Sequence, residues 1–305
     1  MRIAVVGSYG VGLTMRVDQL PGAGVTVTGG EFSSGHGGKG SNQAVAAARL
    51  GAEVALLTAV GRDSFAVQAH DLWREEGVAA DNVAAVDAST MVGVILVDAS
   101  GENRIVIAPG ALEKLTPQVV DTFEDEIDAA DLLVTGFEIP VPAARRALQL
   151  ARRHGVRTLL NPAPAPAEPL DDELWQLVDI LTPNESESAL LTGEAGLASP
   201  EACAAAIRRR YDGLTVVTLG GAGCLLDEPG RQPRRVPAVP APRVVDTTGA
   251  GDAFTAALAV ALVRGDDLDA AVRFAGAAGA HAVGVAEVIP SLPRPDDIAA
   301  LLAAD

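Results

Sequence analysis

Three features of this 305-residue chain predict an α/β fold: a parallel, Rossmann-like sheet flanked by helices, with a small β-sheet lid. Short apolar runs alternate with amphipathic helical segments. Two regions break that alternation. Aromatics are scarce, at 3%, so the 49% hydrophobic content is mostly Ala, Val and Leu. Alternation of this kind sets consecutive strands parallel, each followed by a covering helix. The length suits one domain, residues 1–305.

Strand-like runs fall at residues 3–6, 54–60, 132–135, 158–160, 180–182 and 215–218. Helical periodicity falls near residues 41–50, 64–76, 141–154, 200–211, 250–264 and 268–280. Ligands of such sheets gather at the carboxyl ends of the strands. The run Asn161-Pro162-Ala163-Pro164-Ala165-Pro166 directly follows a strand, so it reads as a stiff loop at that edge rather than a linker.

The exceptions lie at roughly 13–36 and 89–112. The first holds Thr14-Met15-Arg16-Val17, then Leu20-Pro21-Gly22, then a strand-like Val25-Thr26-Val27-Thr28. The second reads as a hairpin turning at Ala99-Ser100-Gly101-Glu102-Asn103. Neither has a helix to pack as a βα unit, so a separate sheet of four or five strands is expected. Such a flap suits a lid that excludes water from a site. A structural or dimer-forming sheet is the plainer reading, and the two roles are compatible.

The net charge of -17 argues against nucleic acid or an anionic membrane as partner. Any phosphate site must then rely on backbone donors, metal ions and a few basic side chains. Cys203 and Cys224 are too few for a disulfide scaffold or a zinc site. The N-terminal run reads as a buried strand rather than a signal peptide, and no run of about 18 apolar residues could span a membrane. A cytoplasmic protein is expected.

The most informative stretch is Asp246-Thr247-Thr248-Gly249-Ala250-Gly251-Asp252-Ala253-Phe254. Small residues opening onto a helix leave backbone N–H groups converging on one spot, and the helix dipole adds partial positive charge there. That spot favours a phosphate, and Asp252 stands beside it in the first turn. An anion hole with a neighbouring carboxylate suits phosphoryl transfer. The plainer reading is a Gly-rich turn with an ordinary first-turn acid.

A second Gly-rich site, Gly35-His36-Gly37-Gly38-Lys39-Gly40-Ser41-Asn42-Gln43, precedes a helix. It is no Walker A loop, because Gly40 rather than Ser or Thr follows Lys39. A dinucleotide fingerprint at Gly7-Ser8-Tyr9-Gly10-Val11-Gly12 has its spacing reversed. Lys39 offers positive charge and Asn42 a two-sided donor and acceptor, which suits polyol hydroxyls. Helix capping by Ser41 or Asn42 is the alternative. His36 reads as a loop residue rather than a metal ligand.

These two sites, about 210 residues apart, resemble the paired signatures of the ribokinase (PfkB) family of carbohydrate kinases. Asn161-Pro162-Ala163-Pro164, Thr182-Pro183-Asn184-Glu185-Ser186-Glu187 and Thr218-Leu219-Gly220-Gly221-Ala222-Gly223 extend the resemblance over nearly the whole chain. It implies a ribokinase-like fold and transfer of the γ-phosphate of ATP to a hydroxyl of a small sugar, D-ribose being the best single acceptor. By resemblance, Asp252 is the catalytic base, and Gly249, Ala250 and Gly251 form the anion hole. Gly38, Lys39, Asn42 and Glu138, with Gly10 and Gly12, fall at sugar-contacting positions. Asn184, Thr218, Gly220, Gly223 and Gly251 fall at the ATP site. Glu187 acts on Mg²⁺ through water; its plainer reading, with Asn184, is a helix start. Asp246, Thr248, Ala282, Val285, Glu287 and Ser291 fall at a site for a monovalent cation, K⁺. A homodimer joined through the lids is implied as well. As an anion at a helix N-terminus, Asp252 is expected to have a lowered pKa and to act late in the reaction.

The chain departs from that pattern in three places. Gly10 and Gly12 stand where ribokinases carry Asn and Asp that bind sugar hydroxyls, each lost hydrogen bond being worth about 0.5–1.5 kcal/mol. Leu112 replaces an Asn near the end of the lid, and Glu287 falls where a Gly is frequent. One polar wall is kept and the other lost, which fits a larger or less hydroxylated acceptor. Rival readings are another sugar, polyol or nucleoside kinase of the family, a catalytically silent sugar or nucleotide sensor, and a dehydrogenase.

Overall fold

The computed structural model describes residues 1–100, 102–194, 197 and 199–304. A nine-stranded sheet runs in the order Arg234–Val236, Cys224–Asp227, Leu214–Thr218, Ile180–Leu181, Arg157–Asn161, Leu132–Gly136, Arg2–Val6, Glu53–Leu57, Val78–Ala79. The last seven are parallel, and Cys224–Asp227 and Arg234–Val236 add an antiparallel edge.

The period of two along each strand divides the core. Ile3 and Val5 face one apolar layer with Val54, Leu56 and Val134. Ala4 and Val6 face the opposite layer with Ala55, Leu57 and Leu133. The first layer is covered by the helices Lys39–Arg49, Ala250–Arg264 and Leu268–Ala282, the second by Val141–His154. Continuous apolar runs are what burial on both faces demands. Val141–His154 and Ala250–Arg264 end where Gly155 and Gly265 adopt φ of 72° and 92°.

A separate four-stranded sheet has the order Glu31–Gly37, Gly10–Arg16, Met91–Val97, Asn103–Ala108. Gly10–Arg16 pairs parallel with Met91–Val97 and antiparallel with Glu31–Gly37. Three expectations need correction here. Val25–Thr28 is not a strand; Gly29 and Gly30, at φ of 92° and 104°, break the extended path, and the strand starts at Glu31. His36 therefore lies in a strand, not a loop, and its Nδ1 meets Tyr9 Oη at 2.9 Å. Residues 54–60 form two strands, because Ala59–Val60 leaves the large sheet to pair with Ala84–Ala85. In the hairpin turn, Gly101 lies outside the described residues. Among the described residues no helix is long and apolar enough to cross a membrane.

Candidate active site

The two Gly-rich segments meet at the carboxyl edge of the large sheet. The helix Lys39–Arg49 begins after Gly38, which has φ of 90°, and no side chain caps it. Ser41 Oγ instead accepts a hydrogen bond from Trp73 Nε1 at 2.8 Å. Asn42 Nδ2 donates to Asp252 Oδ2 at 2.8 Å. The capping alternative for both residues is therefore set aside. Gln43 Nε2 donates to Asp252 Oδ1 at 3.1 Å and to Asn161 Oδ1 at 3.2 Å, and Asn161 Nδ2 donates to the Thr182 carbonyl at 2.9 Å.

Asp252 is only 4% exposed. Burial pushes its carboxyl above the usual carboxylate range, and Glu138 pushes the same way; Lys39, Asn42 and Gln43 offset this only in part. The expectation of a lowered pKa is thus overturned. Loss of water outweighs the donors and the positive end of the helix. Asn42 Oδ1 is buried without a hydrogen-bond partner, an orphan acceptor that costs about 1–3 kcal/mol until a donor reaches it.

Lys39 is half-buried, and its ammonium faces three carboxylates. Burial opposes its charge, but Asp252, Glu138 and Glu187 together raise its pKa, so it stays cationic. Glu138 Oε2 accepts from the Ser8 hydroxyl and from Lys39 N, the latter at 2.8 Å, while Ser8 Oγ accepts from Gly40 N at 3.3 Å. A Cβ at Gly40 would stand 2.5 Å from Gly7 Cα, so only glycine lets the turn and the helix start approach this closely. Ser8, Lys39, Gln43, Glu138 and Asn161 line a small cavity beneath this crossing.

Opposite stands the start of the helix Ala250–Arg264. Gly249 takes a left-handed φ of 84°, and a Cβ there would lie 2.8 Å from Val288 Cγ1. Ala250 N–H bonds the Thr247 carbonyl at 3.3 Å. Gly251 and Asp252 occupy the first turn, where the helix itself supplies no acceptor.

Asn184 caps the helix Glu185–Thr192. Its Oδ1 accepts from Glu187 N and its own N donates to Glu187 Oε2, both at 2.8 Å, a reciprocal capping box. Asn184 also bridges in parallel to Thr218, next to the turn Gly220–Ala222 and Gly223. Burial raises the Glu187 pKa and Asp252 adds to this, against the Asn184 N–H and Lys39. A helix start and a position facing the site thus coincide.

Residues 245–248 and 282–287 are stitched together. The Val283 carbonyl accepts from Val245 N and Asp246 N at 2.7 and 3.2 Å. Asp246 accepts from Thr248 N at 2.9 Å and Glu287 N at 3.3 Å. Burial raises the Asp246 pKa, but these donors and the charge of Arg16 bring it below the usual range. The Ala282 carbonyl accepts from Val285 N at 3.3 Å, and buried Ser291 bonds the Val288 carbonyl through its hydroxyl. Glu287 is exposed and has φ of 66°, the one positive φ outside glycine among the described residues.

Gly10 and Gly12 lie in the small sheet. A Cβ at Gly10 would come within 2.3 Å of Met91 Cε and 2.9 Å of the Met91 carbonyl; at Gly12 the nearest atom, Ile95 Cδ1, is 3.5 Å away. Met91 thus fills the space of a side chain at position 10, while position 12 has room. Four neighbours escaped the sequence reading: Ser8, Gln43, Asn161 and Met91. Gln43 and Asn161 stood inside quoted motifs, and Ser8 follows a strand at the ligand edge. Met91 carried no signal. Among the described residues, no group of three or more His, Cys, Asp or Glu could hold a metal.

Residues 1–295 match the family described as pfkB family carbohydrate kinase. The chain is 36% identical over 294 residues to a ribokinase of Haemophilus influenzae, covering 95% of each. It is 37% identical over 279 residues to a deoxyribokinase of Salmonella typhi, covering 90% of this chain and 89% of the relative. A structure of Arabidopsis thaliana ribokinase complexed with ribose and ATP superposes with a TM-score of 0.92 at 31% identity, covering 98% of each chain.

Proposed function

Because this chain belongs to the pfkB family of carbohydrate kinases, we propose that it transfers the γ-phosphate of ATP to D-ribose, giving ribose 5-phosphate. The chain is a sugar phosphotransferase. The observation that carries the mechanism is the buried Asp252, held by Asn42 and Gln43 from a motif 210 and 209 residues away, at the open start of a helix.

The acceptor hydroxyl lies against Asp252, with a second sugar hydroxyl donating to the orphan Asn42 Oδ1 and others meeting Lys39 and Glu138. As its oxygen bonds the γ-phosphorus, the bond to the ADP oxygen breaks and the hydroxyl proton passes to Asp252. The raised proton affinity of Asp252 favours that transfer. The N–H groups of Gly249 and Gly251 stabilise charge on the transferring oxygens, and that of Ala250 joins them by turning from the Thr247 carbonyl it bonds at 3.3 Å. Thr218, Gly220 and Gly223 form the nucleotide side of the cleft beside Asn184.

Glu187 suits a metal, because a half-buried carboxylate with raised proton affinity gains from a nearby cation. With no multi-ligand cluster among the described residues, Mg²⁺ would be held mainly by phosphates and water. When bound, it neutralises charge on the phosphates. The main-chain oxygens of Asp246, Thr248, Ala282 and Val285, with Ser291 near, are uncharged donors suited to K⁺. Glu287 is placed in this set by position alone. The small sheet serves as a lid and as the interface of a homodimer, supported by exposed Ile105, Val106 and Ile107 on its edge strand. A reaction fed by ATP suits a cytoplasmic protein, which is the location we propose.

A less hydroxylated pentose is a second reading. Gly10 and Gly12 offer no side chain to hydroxyls, and one relative is a deoxyribokinase. ADP release measured against ribose, 2-deoxyribose, hexoses, polyols and nucleosides separates the two. Turnover of no sugar at all would overturn both.

A further inference from the structure

The helix Lys39–Arg49 carries Lys39 and Asn42 near one end and Arg49 at the other, about 15 Å away at 1.5 Å per residue. The Arg49 side chain is 10% exposed and is forked onto Glu76, itself 14% exposed. Nε and Nη2 donate to the two Glu76 oxygens at 2.9 and 2.6 Å. The remaining Nη1 donates to two main-chain carbonyls, Ile289 and Leu292, both at 2.7 Å. Those carbonyls close the short helix Val288–Ser291, which is too short to satisfy its own ends.

The same short helix reaches the phosphate loop. Val288 occupies the space above Gly249, where a Cβ would lie 2.8 Å from its Cγ1. The preceding residue, Glu287, donates its N–H to Asp246 at 3.3 Å. A continuous set of contacts therefore joins the sugar-side helix to the left-handed turn that opens the helix Ala250–Arg264.

We propose that Arg49, oriented by Glu76, is a positioning residue that fixes Val288 against Gly249 and so presets the anion hole, an inference that rests on the kinase reading. A buried ion pair is not needed for stability as such, since well-packed apolar residues often replace one without loss. The bonds from Nη1 to two carbonyls are what a simple stability role leaves unexplained. Lysine, lacking the planar fork, cannot serve Glu76 and both carbonyls at once.

The test compares Arg49→Lys and the double variant Arg49→Met/Glu76→Leu with the wild type. The double variant removes both charges and so avoids stranding Glu76. We expect kcat at saturating ribose to fall about 10-fold or more in both, with KM for ribose within about two-fold. Amide hydrogen exchange over residues 284–292 is expected to quicken in both variants without nucleotide present, and ADP affinity by titration calorimetry to weaken. Wild-type kcat, ADP affinity and exchange in either folded variant overturn the proposal. So does a loss of melting temperature alone. If the wild type phosphorylates no sugar, the kinase reading fails, while exchange and ADP binding still decide whether the clamp exists.

Discussion

Gln43 Nε2 lies 3.1 Å from Asp252 Oδ1, so one amide of the sugar-side helix holds an acid 209 residues downstream. Its second acceptor, Asn161 Oδ1 at 3.2 Å, ties that amide to the end of a central strand. The bond favours ionised Asp252, and removing it should raise a pKa that burial already lifts. As the proposed base, Asp252 works deprotonated, so activity is expected to rise with pH through this pKa. In Gln43→Ala the acidic limb of the kcat/KM profile is expected to move to higher pH. An unmoved limb would separate Gln43 from the titration of the base.

Glu187→Gln tests the metal role without removing the cap, because glutamine also closes a capping box. The melting temperature should stay near that of the wild type. The Mg²⁺ concentration for half-maximal rate should rise about 10-fold, one charge-assisted contact being worth roughly 1.5–3 kcal/mol. An unchanged Mg²⁺ requirement would assign Glu187 to capping alone.

Glu287 holds a φ of 66° in an exposed loop. Such strain costs on the order of 1–3 kcal/mol, and glycine gives back part of that through a freer unfolded chain. Glu287→Gly is therefore expected to stabilise the fold by about 1 kcal/mol in urea unfolding. The proposed activation by K⁺ over tetramethylammonium is expected in this variant as in the wild type, because the Glu287 N–H bond to Asp246 needs no side chain.

Positions 10 and 12 should respond differently to polar substitution. Gly10→Asn meets Met91 and should cost about 1–3 kcal/mol of stability. Gly12→Asp has room, and should leave stability within about 0.5 kcal/mol while lowering KM for ribose several-fold. Unfolding curves and ribose titrations of the two variants check both expectations.

The readable parts were those with local causes. The helices Val141–His154 and Ala250–Arg264 were legible to the residue, because left-handed Gly155 and Gly265 end them. The two Gly-rich motifs were visible for the same local reason. Residues 25–28 misled because alternation there competes with two glycines of positive φ. The contacts of Gln43 and Ser8 span 209 and 130 residues, beyond any local pattern. The direction of the Asp252 pKa was misread because a helix N-terminus shows in sequence, whereas the depth of burial around it emerges only on folding.

The most direct measurement is the turnover of Asp252→Asn with saturating ATP and ribose, followed by ADP release. Asparagine keeps the shape but cannot take the hydroxyl proton. We expect kcat to fall about 10²-fold or more, with sugar and nucleotide binding within a few-fold of wild type. Turnover within a few-fold of wild type would remove Asp252 from the reaction and contradict the mechanism at its centre.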